Sequence, residues 1–294
     1  MTEAAGGQTP GVQHCHLHRD REAYISCQRC GRPICPDCMR DAAVGFQCPT
    51  CIKEGAKSVR SPRTLAGGLV SSNVGVVSKT LIAINVIAFV AQLATGDRSG
   101  EIYRQGTMIA QSGPFDAGGT VYTGVADGAW WRLLTSAFLH LSLLHIAFNM
   151  YALYLFGPYV ERALGTWRFI VAYLTMSVVA SVFVYVLSDP RTSTVGASGA
   201  VFGLFAIALV LMVRAKADVN FLLVLLAINA LLSFRSGISW QGHLGGFVAG
   251  LVIASAVALP PQRYRQWAQG AALVLLLGGA VVAVVLRTAA LTPG

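Results

Sequence analysis

Apolar residues occupy this chain in long unbroken runs, and its polar residues gather in short clusters between them. Segments such as Leu222–Leu232 and Ala271–Leu286 carry almost no polar position at helical spacing, so they lack the wet face of a soluble amphipathic helix. Seven runs stand out, at roughly 79–95, 137–157, 168–187, 198–213, 219–234, 241–259 and 268–287. Most approach the ~20 residues a helix needs to cross hydrocarbon. The fourth and fifth are short, divided by Arg214, Lys216 and Asp218, and are expected to be tilted or partly recessed. The amino-terminal part, up to about residue 60, is different: polar and rich in cysteine. The pattern predicts an all-α polytopic membrane protein preceded by a small separate domain.

Composition agrees. Charged residues make up 12% of the chain and hydrophobic ones 54%, whereas soluble domains average about 25% charged. The net charge of +9 is unevenly placed. Lys57, Arg60, Arg63 and Lys79 precede the first run, Arg162 and Arg168 follow the second, Arg214 and Lys216 the fourth, and Arg263 and Arg265 the sixth. The alternate loops hold Asp97, Glu101, Asp116, Asp127 and Asp189, with Arg98, Arg104, Arg132, Arg191 and Arg235 interspersed. Basic excess marks the cytoplasmic side, so the amino terminus is expected inside and, after seven spans, the carboxyl terminus outside; Arg287 runs against this. No cleavable signal is expected, because the first 30 residues have no apolar core. The charge is topogenic and gives no reason to expect a nucleic-acid partner.

The 7 cysteines all fall between positions 15 and 51, as Cys15-x2-His18, Cys27-x2-Cys30, Cys35-x2-Cys38 and Cys48-x2-Cys51. A two-residue gap aims both donors of a pair at one metal, and thiolate with imidazole suits zinc. Eight ligands fill two closed tetrahedral sites and leave no open position for catalysis. An odd cysteine count in a reducing compartment argues against a disulfide framework. A segment this short and polar cannot build a core, so metal has to fold it. His14 and His16 are alternatives to His18, which has the better spacing. The spacing resembles B-box-type zinc fingers, which imply Cys15, His18, Cys35 and Cys38 on one ion and Cys27, Cys30, Cys48 and Cys51 on the other. Those fingers commonly end in a histidine pair where this chain has Cys48 and Cys51, so interleaved and sequential pairing both remain open. Such fingers usually bind proteins. Residues 12–53 form this domain, and 54–78, with Gly67–Gly68 and Ser71–Ser72, read as a flexible tether.

Two side chains within the apolar runs carry chemistry. Ser198 follows Gly196 and Ala197 at the start of a run, where unpaired backbone N–H groups and the helix dipole favour negative charge. Gly196 lets the chain bend into the helix, and Gly199 clears space beside the hydroxyl. Serine is also common at packing faces of membrane helices. His243 lies in a later run with Gly246 and Gly250 four apart, matching Gly199 and Gly203 in the serine run. Small residues at that spacing bring helix backbones close, so imidazole can reach hydroxyl as base to nucleophile. His145 and Asn149, four apart on one helix face, can donate to an oxyanion together with the N–H of Ser198; interhelical hydrogen bonding is their alternative role. His140 and Ser142 are candidates for holding the hydrolytic water.

With these residues in view, the chain over 79–259 resembles rhomboid intramembrane serine proteases. The matching positions are Trp131–Arg132, His145-x3-Asn149, Glu161–Arg162, Gly196–Ala197–Ser198–Gly199 and His243-x2-Gly246-x3-Gly250. The resemblance implies a six-helix bundle, with residues 260–294 adding a seventh helix and tail. It implies a Ser198–His243 dyad without carboxylate or catalytic cofactor, an oxyanion hole of His145, Asn149 and backbone N–H, and Phe202 packed on the base. It implies transmembrane protein substrates. The segment 96–135 resembles the family's first loop, with Trp130, Trp131 and Tyr122 expected at the membrane interface and Arg132 tied to Glu161 or to lipid headgroups. A bacterial plasma membrane is the expected location. A non-catalytic rhomboid-like client binder and a zinc-finger adaptor are the competing readings. Relatives of the former kind lack the serine or the histidine, and this chain has both.

Overall fold

The computed structural model describes residues 12–58, 63–68, 73–114, 121–235 and 237–292. Arg60, Ser71, Ser72 and Asp116 therefore lie outside the described residues. The chain divides into two compact units, Met1–Ser61 and Pro62–Gly294.

The first unit holds two short antiparallel pairs, β1 (Ile25–Ser26) with β2 (Pro33–Ile34) and β3 (Arg40–Asp41) with β4 (Phe46–Gln47), followed by helix α1 (Pro49–Ser58). Its buried core consists of six cysteines with Ala23 and Ile34. Strands of two residues cannot support a fold alone.

The second unit is helical. After α2 (Val76–Ala94) come the short α3 (Glu101–Gly106), a pair of β5 (Gly113–Pro114) with β6 (Val121–Tyr122), and α4 (Arg132–Thr135). Then follow α5 (Leu143–Leu164), α6 (Thr166–Leu187), α7 (Ser198–Arg214), α8 (Asn220–Leu232), α9 (Trp240–Ala258) and α10 (Arg265–Leu291). Five helices, α2, α5, α6, α9 and α10, are long and apolar enough to cross a membrane; α7 and α8 are apolar but shorter. All seven expected runs are helical, with two notable differences. The second was expected at 137–157, but Ser142 caps a helix that begins at Leu143, its Oγ accepting the His145 N–H at 3.2 Å. The chain before it turns through Ser136–Phe138 instead. Part of the expected tether, residues 63–68, lies against α5 and α10. Residues 54–58 belong to α1. Thr64 Oγ1 donates to the Leu164 carbonyl at 3.3 Å and Ala66 N–H to the Ala163 carbonyl at 3.1 Å. From α10, Arg265 Nη1 donates to Leu65 O at 2.6 Å and Gln269 Nε2 to Ala66 O at 3.0 Å.

α7 and α9 make the most extensive helix contact in the chain, with α6 packed on both. Glycines set that contact. A Cβ on Gly246 would run into the Gly199 carbonyl, and one on Gly250 into the Gly203 backbone. α6 closes the third side, so that Ala180 faces Gly199 and Phe183 faces Gly245. α8 is the contrast: Leu222 is its one buried residue among those described. Gly250→Ala is expected to force α9 from α7 and destabilise the membrane unit by about 1–3 kcal/mol, the range for overpacking a well-filled interface. Thermal unfolding in detergent would register this as a lowered midpoint, and an unchanged midpoint would contradict the contact.

Candidate active site

Ser198 opens α7 and His243 lies in the first turn of α9, whose Ser239 cap accepts the Gly242 N–H at 3.3 Å. The close backbone approach brings His243 Nε2 to 2.8 Å from Ser198 Oγ. Both residues are half-buried. The Phe202 ring, one turn along α7, stacks on the imidazole with centroids 4.1 Å apart and planes 11° from parallel. On its other nitrogen, His243 Nδ1 lies 2.5 Å from Ser233 Oγ, a contact that the pattern of residues did not suggest.

His145 and Asn149 lie one turn apart on α5. The Leu141 N–H donates to His145 Nδ1 at 3.3 Å. A neutral imidazole accepting there carries its proton on Nε2. That nitrogen faces Gly196: a Cβ at 196 would lie 2.8 Å from His145 Nε2 and 3.6 Å from Ser198 Oγ. Gly196 also has φ of +135°, a conformation that side chains oppose. Both constraints require glycine here. Asn149 is 5% exposed, and its Nδ2 has no partner among the described residues. A buried amide donor left unpaired is free to donate to a partner oxygen from outside the chain.

The other expected residues are placed as follows. Arg132 is fully buried, and Glu161 is not among its partners. Its Nε donates to Thr123 O at 2.8 Å, and Nη1 to Arg104 O and Thr107 O at 2.7 Å each. It thus ties the loop before α4 through backbone carbonyls. Glu161 accepts from Val77 N–H at 3.2 Å, Ser78 N–H at 3.0 Å and Ser78 Oγ at 2.9 Å. It caps α2, whose own N-cap, Gly75, has no side chain to do so. Tyr122, expected at the interface, is buried, with the Arg104 guanidinium 5.4 Å from its ring centre; Trp130 and Trp131 are exposed. His140 is buried, its ring edge-on to His145 at 5.2 Å, and its ring nitrogens have no partner among the described residues. Its backbone is gripped by Gln92 of α2, which donates to His140 O at 2.8 Å and accepts from His140 N–H at 3.2 Å. Ser142 serves as the α5 cap.

Comparison with known proteins gives a rhomboid domain over residues 127–259. The rhomboid protein YdcA of Bacillus subtilis is 36% identical over 137 residues, which are 45% of this chain and 69% of YdcA. The chain belongs to the rhomboid protease family. Rhomboid protease AarA of Providencia stuartii is 25% identical over 63% of this chain and 74% of its own length. Rhomboid protease GluP of Bacillus subtilis is 39% identical, but the match spans only 28% of GluP.

The matched rhomboid domain excludes the cysteine unit, which forms two candidate metal centres. Cys15, His18, Cys35 and Cys38 form one cluster and Cys27, Cys30, Cys48 and Cys51 the other, the donor atoms in each lying within 4.8 Å of one another. The pairing is therefore interleaved. His18 Nδ1 lies 3.4 Å from Cys35 Sγ and 3.2 Å from Cys38 Sγ, whereas His16 turns to the Pro33 carbonyl. Burial raises the Cys15 and Cys27 thiols, but surrounding backbone N–H groups outweigh it and hold both at about 6. Cys38 and Cys51 are pushed up to about 12 by burial and by neighbouring cysteines. Each cluster thus resists gathering several thiolates unless a cation compensates them, and its donor set fits a thiophilic divalent ion.

In this rhomboid core, Arg132→Met should leave three backbone carbonyls without this partner, that of Thr107 buried, and lower stability by at least about 1 kcal/mol. A thermal midpoint equal to that of the unmodified protein would contradict the bracing role.

Proposed function

We propose that the protein is an intramembrane serine endopeptidase that cuts transmembrane helices of membrane proteins with a Ser198–His243 dyad. The observation that carries this is the 2.8 Å contact between His243 Nε2 and Ser198 Oγ on neighbouring apolar helices. His243 takes the Ser198 proton as Oγ attacks a peptide carbonyl. Asn149 Nδ2, His145 Nε2 and the Ser198 N–H stabilise the oxyanion. His243 then protonates the leaving amine, and water entering from the outer side releases the acyl group. A substrate helix has to unwind locally, so Gly or Pro near the cut favours cleavage. By resemblance to the family, a small residue precedes the cut. That both dyad residues are present argues against a purely client-binding rhomboid relative.

We infer further that the amino-terminal unit binds two structural zinc ions, faces the cytoplasm of a bacterial cell, and recruits or tunes substrates through a protein partner. Support comes from the two four-donor clusters and from the basic excess at the loops on that side.

Reconstituted in lipid with a single-span substrate, the native protein is expected to cleave it, Ser198→Ala to abolish cleavage, and His243→Ala to slow it by at least about 100-fold. Undiminished cleavage by Ser198→Ala would end the proposal. Purified protein is expected to carry two zinc ions per chain by elemental analysis, and Cys48→Ser to lose one of them. Deleting residues 1–55 is expected to alter substrate choice or turnover, and unchanged kinetics would remove the recruiting role.

A further inference from the structure

The geometry points to Ser233 as a positioning residue for the base, an inference that rests on the protease reading above. Ser233 follows the last residue of α8, ten positions before His243. Its hydroxyl has a single proton. Ser233 Oγ lies 2.6 Å from the Asn229 carbonyl, which has only lone pairs to offer, so the proton goes there. The oxygen then meets His243 Nδ1, 2.5 Å away, as an acceptor. His243 must carry its hydrogen on Nδ1, leaving the Nε2 lone pair toward Ser198 Oγ. That is the tautomer a general base requires.

The two neighbours of the ring divide the task. Phe202, stacked at 4.1 Å, fixes the plane of the imidazole but permits a half-turn about its Cβ–Cγ bond, which keeps the plane and exchanges the ring edges. Ser233 selects the edge. Without an acceptor at Nδ1, the proton can move to Nε2, and that nitrogen would then donate to Ser198 instead of accepting from it. No carboxylate contacts the His243 ring among the described residues, so the Ser233 hydroxyl takes the orienting place. During the reaction, the Ser198 proton passes to Nε2 and later to the leaving amine. The Nδ1 proton stays on His243 and the hydroxyl proton on Ser233, so Ser233 gains and loses nothing.

The link has a structural consequence. Ser233 belongs to the end of α8 and His243 to α9. Between them runs an apolar crevice of about 530 Å³, lined by Leu226, Ala230, Phe234, Trp240 and Phe247 among others. The orientation of the base therefore depends on the spacing of α8 and α9 across that crevice.

The test compares Ser233→Thr and Ser233→Val in the full chain, reconstituted in lipid. The two variants have nearly the same shape and differ in the hydroxyl. Cleavage of a single-span substrate gives kcat and KM, and nitrogen-15 NMR of the labelled His243 ring reports its tautomer. Ser233→Val is expected to lower kcat roughly 10–100-fold with KM within about twofold, because the loss falls on proton transfer and not on binding. Its His243 signal should lose the protonated-Nδ1 pattern, and Ser233→Thr should keep both the rate and the pattern. Native kcat and a native tautomer in Ser233→Val would overturn the inference, as would a Ser233→Thr protein as slow as Ser233→Val. Failure of the protease reading would look different: no cleavage by the unmodified protein, or cleavage that survives Ser198→Ala.

Discussion

The site depends on one contact between two backbones. α7 and α9 meet glycine to glycine, with Gly199 and Gly203 against Gly246 and Gly250. In hydrocarbon, helices gain little from hiding apolar surface, and close packing supplies most of their attraction. Here the closeness also has a chemical result. A hydroxyl at the start of one helix and an imidazole near the start of the other cannot hydrogen-bond unless the axes approach this far. α6 holds the pair from a third side, with Met176 against Gly203 and Ala180 against Gly199. Ser198 and His243, the proposed nucleophile and base, are thus carried on mutually braced elements, the condition for holding reacting atoms within a fraction of an ångström.

Around that contact, the buried polar side chains mostly serve the backbone. Gln92 grips both backbone polar groups of one residue, His140. Arg132 gathers three carbonyls. Glu161 caps a helix that starts on a glycine. All three follow from one rule: irregular backbone away from water needs a partner for every N–H and C=O. The segment between α2 and α5 is largely irregular, and these side chains make it tolerable. Gln92 in particular holds His140 beside Leu141, whose N–H donates to His145 Nδ1, so this bracing reaches His145 through only a few bonds.

Much of this was legible from residue order. Apolar runs locate helices because hydrocarbon length is a fixed requirement, and matched glycine spacings at 199/203 and 246/250 announce close approach. His145 and Asn149 were legible as a pair because four residues make one helical turn. The roles of Arg132 and Glu161 were not. Their partners are backbone groups, which every residue possesses and which leave no mark in a sequence. Ser233 was hidden for a related reason: a serine ending an apolar helix reads as a cap or a packing residue, and only the fold of α8 back toward α9 gives it an imidazole. The start of α5 was misplaced because Leu139 and Leu141 continue the apolar run, while the Ser142 cap overrides them.

The two units of the chain are stabilised by different physics. The membrane unit has an extensive core drawn from α2, α5, α6, α7 and α9. The amino-terminal unit has no comparable reserve, since most of its buried side chains are the cysteines of the two clusters. Removing a ligand there removes core as well as coordination. Binding free energies of roughly 10–16 kcal/mol for structural zinc in small finger peptides exceed what short hairpins and one ten-residue helix supply. With the proposed zinc ions bound, the fold of the first unit would be linked to metal, whereas the Ser198–His243 contact of the second arises from helix packing that contains no metal-binding cluster among the described residues. Loss of metal should accordingly unfold the finger while leaving the Ser198–His243 contact in place.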